Sequence, residues 1–373
     1  MTSSLDLVKK FRKDYGQNVA LIGRQAWVDM PRIPTGIFPI DLAMGGGFIR
    51  GKVNIVFGPE SSNKTNLMLG AIREGQKMFP GEKAVVVDAE HDLNVPWAEK
   101  LGVDPDRLII LYPEYAEQAA DFVESFLYAE DVFLVGLDSI AALCKQSEAE
   151  SDMSKASYGG ASILTNKMFR KLVVAFSKMQ NAGKIAPAFI GINQIRFKMD
   201  AGPHGNPETL PGGQAQKYAA SMLLRTYAKN VMDTKLHPAM PAFKEGSVVI
   251  KKWKCPILAV NAEYKMQMVS GGGHLPGYVK DWNTISTYMQ ELDYLSKVDA
   301  AKPGSGWLMS GEQYPTLKAC EEALYGDPIA LQEMKAAIIS EMLEKAQADE
   351  KQAAKLGEGD HADDVVTEEE VAV

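Results

Sequence analysis

Read as apolar and polar positions, the chain changes its period along its length. Between residues 53 and 193, short unbroken apolar runs stand at 53–58 (VNIVFG), 84–89 (AVVVDA), 108–112 (LIILY), 132–138 (VFLVGLD) and 187–193 (PAFIGIN). Segments at 66–79, 95–101, 116–129 and 160–182 separate them and read as helices. Continuous apolar strands alternating with helices predict a parallel sheet covered on both faces. In the last of these helices, Ile163, Leu164, Phe169, Leu172, Val173, Phe176 and Met179 are expected to form one core stripe. From residue 221 onward, 222–228, 248–253 and 263–269 come closer to period two, which predicts antiparallel strands extending the sheet.

The flanks read differently. Leu5, Val8, Phe11 and Tyr15 fall at near-helical spacing ahead of Gly16, a short amphipathic helix. Its apolar face fits either its own domain or a neighbouring subunit, and the pattern leaves both open. Pro31, Pro34 and Gly36 then break the chain. After Gly271-Gly272-Gly273 a segment with its own helices follows. The expected organisation is an N-terminal helical arm (1–30) serving oligomerisation, an α/β core (31–270), a small C-terminal subdomain (271–345) and a charged tail without aromatics (346–373), expected to be disordered.

Composition sharpens this picture at two points. The 373 residues, 46% of them hydrophobic, are enough for a full core with appendages. The net charge of −8 is uneven: residues 356–373 hold seven acidic residues and no Lys or Arg, so the rest stands at −1. Within it, 151–235 holds twelve Lys or Arg against four Asp or Glu. A basic middle and an acidic end suggest a polyanion partner, with the tail expected either to compete with that partner for the basic surface or simply to solvate the end. Cys144, Cys255 and Cys320 are far apart, follow no metal-ligand spacing and are odd in number, which argues against a disulfide framework. With no secretory signal and no apolar run long enough for a membrane, a cytoplasmic location without membrane partners is expected.

The chemistry gathers around 53–65. There an apolar strand breaks into Gly58, Pro59, Glu60, Ser61, Ser62, Asn63, Lys64 and Thr65 and then opens a helix at Asn66. This is a phosphate-cradling P-loop in its expected context, strand before and helix after. Lys64 is expected to reach the β/γ-phosphates of ATP, and the Thr65 hydroxyl to hold Mg²⁺. One position departs: Asn63 stands where the pattern has its second glycine. Asn tolerates strained turns and keeps its backbone N–H, so nucleotide binding remains the favoured reading.

Three further sites follow. Asp138 ends an apolar strand, where a Mg²⁺ ligand belongs in a P-loop enzyme; the alternative is a carboxylate that caps a turn. Asp88-Ala89-Glu90-His91 ends another, and a carboxylate there could orient or deprotonate an attacking water. His91, with no second His nearby in sequence, reads as structural. Finally, residues 192–199 (INQIRFKM) leave a strand for a Pro/Gly-rich loop reaching Gly213, with no regular element expected over 200–213. Cations interleaved with Phe197 and Met199 suit single-stranded nucleic acid, and a bland surface loop is the alternative.

Together these features resemble the RecA-family recombinases, including their phage UvsX-like branch, over about 15–269. GPESSNKT is similar to the family's GPESSGKT, and DAEH, KLGVD (100–104), LDSIAAL (137–143), INQIR (192–196) and GNPET-x-x-GG (205–213) follow in the family's order. The resemblance implies a RecA-type ATPase core with Glu90 as the catalytic glutamate and Gln194 as the glutamine sensing the γ-phosphate. It also implies Trp97 against adenine, and Lys252 and Lys254 reaching the ATP of the neighbouring subunit. Two DNA loops are implied at about 148–160 and 195–213, with Tyr158, Arg170, Arg196, Phe197, Lys198, Met199, Gly212 and Gly213 as DNA-binding residues and Tyr218 at the subunit interface. Asn63, the SKASYGG of 154–160 and the shortened 253–256 depart from the family's pattern.

The function this implies is a DNA-dependent ATPase that uses ATP and Mg²⁺ to form a helical homo-oligomeric filament on single-stranded DNA. It would pair that strand with homologous duplex DNA, aided by single-strand-binding and loader proteins. A RecA-like ring motor such as a helicase, and an ATP-gated mediator that does not hydrolyse, are the rival readings.

Overall fold

The computed structural model describes residues 2–21, 30–144, 160–197, 208–299, 302 and 304–359. The chain divides into two compact units, one of residues 1–255 and 259–281, the other of 256–258 and 282–373.

In the first unit the N-terminal helix α1 (Ser4–Tyr15) is closed at its start by a reciprocal capping box between Ser3 and Asp6 and at its end by Gly16. No residue of α1 is buried. Strand β1 (Arg32–Ile33), helix α2 (Phe38–Ala43) and strand β2 (Phe48–Ile49) lead to β3 (Val53–Gly58) and helix α3 (Lys64–Met78). There follow β4 (Lys83–Asp88), α4 (Val95–Lys100), β5 (Leu108–Leu111), α5 (Ala116–Leu127), β6 (Val132–Asp138), α6 (Gly160–Asn181) and β7 (Ala188–Gln194). Then come β8 (Arg196–Phe197), β9 (Glu208–Thr209), α7 (Ala215–Ala219), β10 (Met222–Met232), β11 (Pro241–Trp253) and β12 (Asn261–Gln267).

Among the described residues the main sheet has eight strands in the order β12-β11-β10-β3-β7-β6-β4-β5. All contacts from β10 to β5 are parallel, and those of β11 with β10 and β12 are antiparallel. The sheet is thus mostly parallel with an antiparallel extension, the α/β fold expected. β3 is buried along its whole length because helices cover both faces, which is why it reads as unbroken apolar sequence. On one face Val53, Ile55, Val135, Leu137 and Phe189 pack with Val123 of α5 and Met168, Phe169 and Leu172 of α6. On the other, α3 lies so close that a Cβ on its Gly75 would sit 2.1 Å from the Phe133 ring, and one on Gly136 of β6 would sit 2.5 Å from Met68 sulfur. At the solvent-facing edge β12 alternates exposed and buried positions.

Four expectations are corrected. Ile163 and Val173 are 67% and 48% exposed and leave the expected α6 stripe; Leu164, Phe169, Leu172, Phe176 and Met179 do pack inward, joined by Thr165, Met168 and Ala175 on the same helical face. The stretch 200–213 does contain regular structure, since Glu208 and Thr209 pair with Phe197 and Arg196. β10 and β11 are longer than expected, because they continue as a hairpin beyond the end of β3, Met232 opposite Pro241, with β12 pairing along the far half of β11. Residues 346–359, expected to be disordered, close a helix, and 360–373 lie outside the described residues.

The second unit holds α8 (Trp282–Glu291), the antiparallel β13 (Leu295–Lys297), β14 (Trp307–Met309) and β15 (Glu312–Tyr314), then α9 (Leu317–Gly326) and α10 (Pro328–Gly359). Its small core includes Ile285, Met289, Leu295, Met309, Cys320, Leu324 and Ile338.

Candidate nucleotide site

Parallel strands deliver their C-terminal ends to one edge of the sheet, and the candidate residues leave from those ends. β3 ends at Gly58, β7 at Gln194 in register beside it, and β6 and β4 end on the facing pair Asp138 and Asp88. A Cβ on Gly58 would fall 2.4 Å from Thr226 Oγ1 and 2.6 Å from Ser62 Oγ, so only glycine fits between these hydroxyls. Those hydroxyls hydrogen-bond at 2.8 Å, and Ser62 Oγ also donates to the Pro59 carbonyl at 2.7 Å. The loop is therefore tied to β10 as well as to its own strand.

Ser61 (φ 56°) and Asn63 (φ 75°, ψ 16°) adopt left-handed backbone, the alternation that turns successive N–H groups into one concavity suited to an anion. Asn63 is the N-cap residue of α3, so the helix N-terminus faces the same concavity. Its αL conformation meets the expectation that Asn can stand where the pattern has glycine. Glu60 is exposed. Lys64 Nζ donates to the carbonyls of Gly58 (3.2 Å) and Pro59 (2.6 Å). Burial pulls the Lys64 ammonium below its ordinary pKa, while Asp138, Glu90 and Glu60 pull the other way.

The carboxylates separate into distinct environments. Asp138 Oδ2 accepts from Thr65 Oγ1 at 2.8 Å. Its pKa is pushed up to about 6, chiefly by burial, with Glu90 and Asp88 adding to the rise while the Thr65 hydrogen bond and Lys64 oppose it. Asp88 is buried, and its two oxygens accept from the backbone N–H groups of Glu90 (3.2 Å) and Leu93 (2.9 Å). It organises the turn. Glu90 is the exposed carboxylate of the DAEH run, accepting from Ser139 Oγ and, at 3.0 Å, from Gln194 Nε2. His91 stacks on Tyr112 with ring centroids 5.2 Å apart. Trp97 on α4 donates its indole N–H to Asn66 Oδ1 at 2.9 Å.

The loop that leaves beside Gln194 is anchored at both described ends. Asn193 is buried and donates to the Pro211 carbonyl (2.9 Å) and to Gln216 Oε1 (2.7 Å), and Gln216 donates back to Pro211 and Gly213. Gly212 and Gly213 are left-handed, at φ 87° and 81°. Glu208 forms a two-toothed ion pair with Arg225 of β10, the strand residue level with Phe57 of β3. Arg170 and Arg196 are exposed. Tyr158, Lys198, Met199 and the side chain of Phe197 lie outside the described residues.

Lys252 and Lys254 are not brought to this site. The register sets Lys252 level with Leu223 and Ile55, and Lys254 donates its backbone N–H to Ser221, so both stand toward the opposite end of β3 from Gly58. There Lys252 Nζ donates to the carbonyls of Lys217 and Tyr218 and Lys254 Nζ to that of Tyr218, whose own side chain is 74% exposed.

Several members of the site are absent from the sequence reading. Ser139, next to Asp138, could have been picked as a hydroxyl at a strand end. Tyr264 and Lys244 carry no local signal, because strand pairing about two hundred residues downstream is what brings them to the loop. Tyr264 Oη accepts from Asn63 Nδ2 at 2.8 Å. Lys244 contributes positive potential at Lys64, and burial lowers its own pKa.

The geometry fits a magnesium nucleotide: a left-handed anion nest at a helix N-terminus, a lysine beside it, and a hydroxyl bonded to a strand-end carboxylate. Among the described residues no His/Cys/Asp/Glu cluster able to hold a metal by itself is present, so a cation here would depend on Thr65, Asp138 and its phosphates.

Comparison with known proteins points the same way. The profile of the RecA N-terminal domain matches residues 4–267. Protein RecA of Sulfurimonas denitrificans is 34% identical over 312 residues, covering 83% of this chain and 84% of that protein. Protein RecA of Desulfovibrio desulfuricans is 41% identical over 214 residues, 57% of each, so this match spans little more than half of that relative. A solved chain described as the RadB recombinase aligns at 21% identity with a TM-score of 0.45, covering 63% of this chain and 96% of that one, and carries no weight beside the family match. With the domain profile spanning well over half its length and a bacterial relative aligned across 83% of it, the chain belongs to the RecA family.

Proposed function

We propose that this chain is an ATP-dependent homologous-recombination protein that assembles as a helical filament on single-stranded DNA and pairs it with homologous duplex. Membership of the RecA family supports the class of activity. The observation that carries the reading within this chain is the hydrogen bond from Gln194 to Glu90. Gln194 stands in register with Gly58 and is also the root of the loop that returns through Glu208 to Gly213, so one side chain adjoins both sites.

In this reading Gly58–Asn66 hold the phosphates of ATP, Lys64 neutralises them, and Thr65 and Asp138 hold Mg²⁺, which supplies charge neutralisation at the transferred phosphoryl group. Glu90 orients and deprotonates the attacking water. Both donors it holds here, Ser139 and Gln194, sit on Oε1, which leaves its second oxygen for the water, and movement of Gln194 from Glu90 to the nucleotide is what links the loop to nucleotide. Such a link is reciprocal: ATP and DNA tighten each other's binding. Trp97 covers the base. The loops around 148–160 and 195–213, with Arg170, Arg196, Gly212 and Gly213, hold the DNA backbone. Lys252, Lys254 and Tyr218 face the next protomer. A phage UvsX-like branch belongs to the same proposal, beside relatives that are bacterial RecA proteins, and single-strand-binding and loader proteins are partners by family analogy. The location proposed is cytoplasmic; among the described residues no helix is long and apolar enough to cross a membrane.

The test is steady-state ATP hydrolysis with and without single-stranded DNA, beside Lys64→Ala and Glu90→Gln. DNA should stimulate turnover, K64A should abolish nucleotide binding, and E90Q should bind nucleotide and DNA while losing turnover by about a hundred-fold or more. No stimulation in the wild type sinks the proposal.

A further inference from the structure

Asn63 does more than tolerate its backbone. It is 5% exposed, and its amide sits inside a chain of hydrogen bonds that all run in one direction. The Trp97 indole N–H donates to Asn66 Oδ1 (2.9 Å), Asn66 Nδ2 donates to Asn63 Oδ1 (2.7 Å), and Asn63 Nδ2 donates to Tyr264 Oη (2.8 Å). Bonds aligned head to tail polarise one another, and a buried polar chain is stabilising only while every member is satisfied. This one begins on α4, crosses the first turn of α3 and ends on β12.

The receiving end is built for its ring. Tyr264 pairs with Gly246 of β11, where a Cβ would lie 2.4 Å from both Tyr264 Cζ and Oη. Any other residue at 246 would push the ring off the loop. Burial pushes the Tyr264 pKa up to about 12, so the group receiving the Asn63 proton is a neutral hydroxyl at any physiological pH. A non-glycine residue at φ 75° is held against its steric preference, and here the hold comes from outside the loop.

We propose that Tyr264 is a positioning residue for nucleotide binding, and that Asn63 and Tyr264 act as a matched pair replacing the second glycine of the P-loop pattern. Glycine takes the left-handed turn unaided, whereas asparagine takes it because its side chain is gripped from β12. The relay then ties the setting of the phosphate loop to the orientation of Trp97. This inference rests on the nucleotide-binding reading above, and its test separates the two.

The test is binding of a fluorescent ATP analogue with Mg²⁺ to the full chain, with thermal melting alongside, for wild type, Tyr264→Phe, Asn63→Gly and the double variant N63G/Y264F. In Y264F the buried Asn63 amide loses its oxygen acceptor and keeps only the weak contact to Met266 sulfur at 3.9 Å, so binding should weaken about ten-fold. KM for ATP should rise while kcat at saturation stays near wild type. The double variant should recover binding to within about three-fold of wild type, since glycine needs no grip and phenylalanine needs no donor. Rescue is the signature, because a tyrosine that only filled space would leave the double variant no better than Y264F. Wild-type binding in Y264F, or a double variant as weak as Y264F, overturns the pairing while leaving ATP binding intact. If the wild type itself binds no nucleotide, the underlying reading falls and the pairing with it. Should Y264F not fold, N63G/Y264F must melt above N63G, whose tyrosine hydroxyl is orphaned; equal or lower melting overturns the pairing.

Discussion

At the scale of single residues the site is a set of carboxylates made unlike by their surroundings. Asp88 spends its oxygens on backbone N–H groups, Glu90 holds two side-chain donors, and Asp138 meets a threonine hydroxyl under burial strong enough to bring its pKa to about 6. The last has a consequence for pH. Above about 6 Asp138 is charged and free to attract a cation; below it, a proton competes for the same oxygens. The Mg²⁺ concentration needed for half-maximal nucleotide binding should therefore rise as pH falls from 8 to 5.5. Asp138→Asn should need more Mg²⁺ at every pH and lose that slope, and a slope unchanged in the variant would show that another group titrates. Much of this level was legible in the sequence, since Gly58, Lys64, Thr65, Asp138 and Glu90 sit at strand ends or in a spaced motif. Which carboxylate faces solvent was not legible, because Asp88 and Glu90 differ only in their burial and in what their oxygens touch.

At the scale of elements, legibility followed burial on both faces. β3, β4, β6 and β7 were visible as unbroken apolar runs because nothing but apolar side chains fits between two helical layers. The antiparallel hairpin was under-read because its far half runs beyond β3, where the exposed residues of β10 no longer alternate against a core. The α6 stripe was over-read, since an apolar residue at near-helical spacing need not be on the buried face. The close seat of α3 was also invisible, yet it sets the position of the whole phosphate loop. Gly75→Ala should place a methyl group against the Phe133 ring and destabilise the first unit by about 1–3 kcal/mol. Urea unfolding followed by circular dichroism reads this directly, and an unchanged midpoint would mean that α3 can shift without cost.

At the scale of the whole molecule, the sheet delivers its residues to two ends. Gly58, Asp138 and Gln194 gather at one, while Lys252, Lys254 and Tyr218 gather toward the other. If the two lysines complete an ATP site, it is not the one on their own chain. Each protomer then carries half of two different enzymes, and activity becomes a property of neighbours in solution. A chain with Lys252 and Lys254 changed to Ala, and a second with Lys64→Ala, should each be inactive alone. Mixed in equal amounts, they should regain about a quarter of wild-type turnover, because a head-to-tail interface joins an intact loop to intact lysines in about one pairing of four. Specific activity of the wild type should likewise fall on dilution, making protein concentration a variable of the reaction in its own right.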